Sequence, residues 1–169
     1  MKQIVVLLFI IVSMSCNETQ NDINAERAAI NKLLNQWHAA ASVADYNGYF
    51  SLMADDAVFI GTDATENWDK KAFMVWSKPY FDKGKAWHFK TMERHIFFNE
   101  RQTVAWFDEL LDTQMKICRG SGVLTKTGNE WKIKQYVLSM TMPNDSVDAA
   151  IMLKAPIEDK IISKSKSTE

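Results

Sequence analysis

Cysteine is nearly missing from this 169-residue chain. Cys16 and Cys118 are the only two, which excludes a scaffold held by several disulfides. Only three histidines are present (His38, His88 and His95), and no two stand at metal-ligand spacing, so neither a metal site nor a cofactor is expected. Charge of one sign is also absent. Twenty basic against 21 acidic residues leave a formal net charge of −1, and no Lys/Arg cluster is dense enough to follow a nucleic-acid backbone. DNA and RNA are therefore excluded as expected partners. The chain has no Gly-rich phosphate loop, no serine nucleophile elbow, no zinc-protease helix motif and no internal repeat.

The apolar run Ile4–Val12 is nine residues long, well short of the roughly 20 that a membrane-spanning helix needs. Lys2 before it and the small residues Ser13 and Ser15 after it give the form of a secretory signal. Cys16 closes the run, and residues 1–16 resemble a bacterial lipoprotein signal whose cysteine is lipidated. Ser13 stands where an apolar residue is commoner, and ordinary cleavage with Cys16 incidental is the alternative. The resemblance implies an exported protein, lipid-anchored to a bacterial envelope membrane (periplasm or outer membrane). Residues 17–23 then form a polar tether. Cys118, without a Cys or His neighbour in sequence, reads as a core residue.

About 150 residues remain after the signal, enough for one domain. Their abundance lies in six Trp, nine Phe and nine Met, more than a small core needs; some are expected to line a cavity. Ile30, Leu33, Leu34, Trp37, Ala41 and Ala44 form one stripe at helical spacing, predicting a helix over 24–44 with Asn24 as its cap. A short helix over 46–53 follows a break near Asp45. A strand over 57–62, a polar turn and a helix from about Asp69 come next. Pro79 is expected to kink or end that helix. Residues 85–99, 103–113, 115–127 and 130–143 read as four strands joined by short turns. This order predicts an α+β fold with helices on one face of a curved antiparallel sheet. Residues 144–169 are expected to add a terminal helix, with Ala150, Ile151 and Leu153 inward and an interruption at Pro156, and a tail.

WHAAASVADYNGYFSLMADDAVFIGTDATENW (37–68), AWFDE (105–109), CRGSGVL (118–124) and WKIKQYVLSM (131–140) give residues 24–143 their resemblance to the SnoaL-like branch of the nuclear-transport-factor-2-like (NTF2-like) superfamily. The resemblance implies a cone, in which a curved sheet wraps the N-terminal helices and leaves a pocket at the open end. It also implies functions from cofactor-free isomerase, dehydratase or cyclase to non-catalytic binding, and a homodimer formed through the outer sheet face.

Strand alternation nominates the site residues. Val104, Trp106, Asp108 and Leu110 share one face, and Ile117, Arg119, Ser121 and Val123 share a face of the next strand. Taking these as the inner faces places an Asp108–Arg119 pair inside the cone, either as a structural ion pair or as a ligand anchor. His88 is the candidate to relay a proton with Asp108; its odd spacing from His95 sends the two histidines to opposite faces. Asp108 and His88 are thus the candidate catalytic residues. Trp68, Trp76, Trp106, Arg119 and Tyr136 are the candidate ligand-binding residues, each also readable as core or structural. The function expected first is the binding of a small apolar or amphipathic molecule in an aromatic-lined pocket. Acid/base catalysis and a dimeric interaction module are the alternatives.

Overall fold

The computed structural model describes residues 2–166, with side chains from residue 22 onward, so Cys16 lies outside the described side chains. Helix α1 (Lys2–Ser42) runs without a break through the segment read as a tether. Its described stripe of Ile30, Leu33, Leu34, Trp37 and Ala41 is buried. Each buried Ile or Leu of this stripe contributes about 1.5–3 kcal/mol. Asp45 caps helix α2 (Tyr46–Ser51), its side chain accepting from Gly48 N at 2.9 Å. Among the described residues no helix is long and apolar enough to cross a membrane.

Strands β1 (Met53–Ile60), β2 (Asn67–Asp69), β3 (Phe89–Phe98), β4 (Val104–Thr113), β5 (Lys116–Thr127) and β6 (Glu130–Met140) form one sheet in the order β2-β1-β6-β5-β4-β3. Every pairing is antiparallel except β1 with β6, which is parallel. The sheet therefore departs from the wholly antiparallel expectation at one junction. The chain enters β1 from the helices, and β1 lies between the last strand, to which it is parallel, and β2, to which it is antiparallel. Strand β2 was not foreseen: Trp68 and Asp69 pair with Phe59 and Val58. Strand β3 starts at Phe89, leaving residues 85–88 as an irregular connector.

Helix α3 (Lys70–Asp82) is capped by Asp69, which accepts from Ala72 N at 2.8 Å. It continues three residues beyond Pro79, because the bond that proline cannot make falls on an exposed side of the helix where water can serve the freed carbonyl. Phe73, Ser77 and Phe81, four apart, are buried. A short 3-10 turn (Asn144–Ser146) leads to helix α4 (Val147–Lys166), which passes through Pro156 uninterrupted. Ile151 and Leu153 are exposed on α4 and not inward as expected.

On β4 the buried residues are Ala105, Phe107, Glu109, Leu111 and Thr113. The inner face is thus the alternate of the expected one. On β3 a bulge between Thr91 and Glu93 shifts the pairing with β4. Phe89 and Thr91 turn inward before it, and Arg94, Ile96 and Phe98 after it. That one extra residue puts Arg94 inside the cone and His95 outside.

Candidate aromatic cavity and its polar floor

A cavity of about 200 Å³ lies between α3, the β1–β2 turn and the connector 85–88. Phe59, Trp68, Phe73, Trp76, Trp87 and Phe89 are its principal apolar walls. Phe73 is the hub of these rings. It stacks on Phe59 with centroids 4.0 Å apart and 12° between planes, and lies near-parallel to Trp68, Trp76 and Trp87 with centroids 5.7–6.0 Å away. Trp76, one turn along α3 from Phe73, meets Trp68 at 4.5 Å and Tyr80 at 5.1 Å. Capping by Asp69 fixes where α3 begins, and so fixes Phe73, Trp76 and Tyr80 toward the space that β2 closes.

The cavity is smaller than the roughly 300–1,000 Å³ of sites for drug-sized ligands, so it suits about one ring. Of its polar side chains, Tyr80 comes from α3, and Thr62, Glu66 and Gln114 come from loops. Glu66 belongs to a polar turn: Asp63 N donates to Glu66 Oε2 at 3.2 Å, and Thr65 donates twice to Asp63 Oδ1.

Beyond the cavity, inside the cone, lies Glu109, fully buried. Its Oε2 accepts from Arg94 Nε at 2.9 Å and Nη2 at 2.7 Å. Its Oε1 accepts from His38 Nε2 at 2.8 Å and from the Tyr136 hydroxyl at 3.0 Å. Burial alone would raise the carboxyl's pKa; the His38 and Arg94 donors outweigh that and hold it below its usual value. Burial, reinforced by the Glu109 charge, raises the Tyr136 hydroxyl far above its usual range, so Tyr136 remains a donor. Arg94 also donates to Asn31 and Asn35 on α1, tying the helix to the sheet. Gly120, paired with Glu109 across β4–β5, leaves the room this arrangement needs, since a Cβ there would run into Tyr136 Oη.

An ionised Glu109 is only an acceptor, so His38 Nε2 carries the proton in their bond. Its Nδ1 is then left buried without a partner among the described residues, as are Trp37 Nε1 and the Tyr49 hydroxyl.

The sequence-predicted residues divide between the two sides of the sheet. Trp68 and Trp76 line the cavity. Tyr136 lies behind it, stacked 5.7 Å from Phe59 and committed to Glu109. Asp108 and Arg119 do pair, at 3.5 Å, but on the outer face of the sheet; the interior placement is corrected because Glu109 is the inward acid. Trp106 is also outside, 46% exposed and stacked on Phe97 at 6.1 Å. His88 is exposed on the connector and is not brought to Asp108. The residue opposite Asp108 is His95, with Nδ1 3.2 Å from Oδ1. Cys118 is buried in the core as expected. His38, Glu109 and Arg94 were missed. His38 follows Leu34 by four and Ile30 by eight, which places it on the buried stripe of α1, and that spacing was the available signal. Among the described residues no group of three His, Cys, Asp or Glu is placed to hold a metal ion.

Residues 30–143, more than half of the chain, match the SnoaL-like domain family, and the chain belongs to that family. Among solved structures it is similar to an NTF2-like protein of unknown function from Pseudomonas putida KT2440, with 16% identity and a TM-score of 0.60 over 73% of this chain and 92% of that one. It is also similar to a domain of unknown function with a cystatin-like fold from Nostoc punctiforme PCC 73102, with 18% identity and a TM-score of 0.61 over 85% and 96%. A third similar structure, from Streptomyces avermitilis, is designated a candidate dehydratase of the NTF2-like family; it shares 11% identity and a TM-score of 0.61 over 71% and 99%. At these identities the likeness is one of fold. Among curated protein sequences none matches the chain.

Proposed function

We propose that this protein binds a small, flat, apolar molecule of about single-ring size in the aromatic cavity. The observation that carries this reading is the ring of Phe59, Trp68, Phe73, Trp76 and Trp87 around an open space of about 200 Å³, with few polar side chains among its lining. A wall of stacked rings offers apolar area and matched faces to a planar guest. Native mass spectrometry of the gently purified protein tests it. The expected result is one small molecule per chain, retained in Trp106→Ala and lost in Trp68→Ala. An empty chain that also fails to take up an added single-ring hydrocarbon overturns it.

Lipidation of Cys16 would anchor this domain to a bacterial envelope membrane, and the signal-like run before it is the support. A Cys16→Ser variant that still fractionates with membranes would sink that assignment. The proposed protein partner is a second copy, met through the outer sheet face, where Met92, Phe97, Trp106 and Ile117 are exposed. Sedimentation of wild type against Trp106→Asp checks it.

The second reading is cofactor-free acid/base chemistry. It is favoured by the Glu109–His38 dyad, in which a carboxylate orients a histidine whose other nitrogen is free, and by the dehydratase designation of the Streptomyces relative. Dehydration by wild type and not by His38→Gln would support it. His38 and Glu109 are both buried and neither is among the residues that line the cavity, so binding is the first reading.

A further inference from the structure

Tyr49 lies directly behind the cavity wall. Its ring stands edge-on to Trp87 at 5.5 Å and to Phe73 at 6.2 Å, and both of these line the cavity. It is fully buried, and its hydroxyl is without a partner among the described residues. A buried hydroxyl without a bond is costly, and a phenylalanine would fill the same space at no such cost. Burial also keeps the phenol protonated, so it is available as a donor.

The wall in front of Tyr49 is formed by Trp87. Trp87 stands on the irregular connector 85–88 and not on a strand or helix. On its far side the connector borders a second groove of about 460 Å³, lined by Lys85, His88, Lys90, Asp112 and Gln114. Trp87 borders both spaces, so the second groove is the space into which it can turn, at the cost of its ring contacts with Phe73, Phe81 and Phe89.

We propose that Tyr49 is the polar anchor of the cavity: a single-ring ligand carrying an acceptor oxygen, a carbonyl or an ether, turns Trp87 outward and accepts a hydrogen bond from Tyr49 Oη. This rests on the cavity being a ligand site and adds what selects the ligand. The apolar rings hold any flat guest. The hydroxyl discriminates, because only an oxygen-bearing guest gives the buried donor a partner.

Two near-isosteric probes separate these statements: acetophenone, which carries a carbonyl oxygen, and α-methylstyrene, which carries a methylene in its place. Both are titrated by calorimetry into the full chain and into Tyr49→Phe. The expected result is a preference of about tenfold for acetophenone in wild type, the worth of one well-made bond to a buried donor. Tyr49→Phe loses that preference while binding α-methylstyrene as wild type does. Equal binding of both probes to wild type, or a preference that survives in Tyr49→Phe, overturns the anchor and leaves the aromatic site standing. Binding of neither probe overturns both.

Discussion

Arg94 spends two of its donors on a single oxygen of Glu109, Oε2, leaving Oε1 for His38 and Tyr136. Four donors from α1, β3 and β6 thus converge on one carboxylate of β4. An acid so satisfied is a fastener, and the helix, the edge strand and the closing strand of the cone meet at it.

Removing one member should be expensive. Arg94→Ala leaves Glu109 buried and short of its principal cation, a change that costs about 3–5 kcal/mol. Asp108→Ala, which breaks the exposed pair with Arg119, should cost less than about 1 kcal/mol. Urea denaturation of the two variants side by side reads the difference, and similar losses would refute the assignment of Glu109 as the interior acid.

The pH dependence follows from the direction of the Glu109 shift. Its folded pKa lies below the ordinary 4.5, so the stability it contributes is present above 4.5 and is lost as pH falls through the folded value. Wild type should therefore lose stability on acidification below about pH 4.5 more steeply than Glu109→Gln, compared by denaturant midpoints across that range. Parallel curves would show that Glu109 does not carry the acid limb.

On the outer face the sign is opposite. His95, bonded to Asp108 with Glu93 also beside it, has its pKa raised from the ordinary 6.5. What this exposed pairing adds is present below 6.5 and fades as pH rises through the folded value. An NMR titration of the His95 ring should show an elevated midpoint that returns toward 6.5 in Asp108→Asn.

Gly120 is required by its neighbour. Gly120→Ala drives a methyl against Tyr136 Oη and should destabilise by about 1–3 kcal/mol. Adding Tyr136→Phe removes the obstructing oxygen, so the double variant should recover part of the loss. Additive losses in the double-mutant cycle would place the clash elsewhere.

Tyr49→Phe should raise the melting temperature, since it deletes a buried hydroxyl without a partner. The gain is about 1–3 kcal/mol, the usual penalty of such a group. A stabilising substitution that also weakens recognition of an oxygen-bearing ligand is the pattern expected when a fold holds a costly group for binding.

Much of the architecture was legible in the chain. The α1 stripe, the break at Asp45, the Phe73/Trp76/Tyr80 side of α3 and the run of C-terminal strands each follow from local periodicity, and periodicity reports on the segment that carries it. Trp68 and Trp76 lie in consecutive elements, β2 and α3, that meet at Asp69: Trp68 stands one residue before it, and Trp76 is on the same side of α3 as Phe73.

What local pattern could not decide was which face of β4 turns inward, because Trp106 and Leu110 make one face as apolar as Phe107 and Leu111 make the other. Nor could it reveal the extra residue in β3 that turns Arg94 in and His95 out. By itself the sequence determined most of the helical and strand segments (β2 excepted), the abundance of aromatic rings and the absence of motifs for phosphate or nucleic-acid binding. Only the tertiary structure chose Glu109 over Asp108. A buried carboxylate is stable where several donors meet it, and those donors come from positions 38, 94 and 136, which lie together only after the chain has folded.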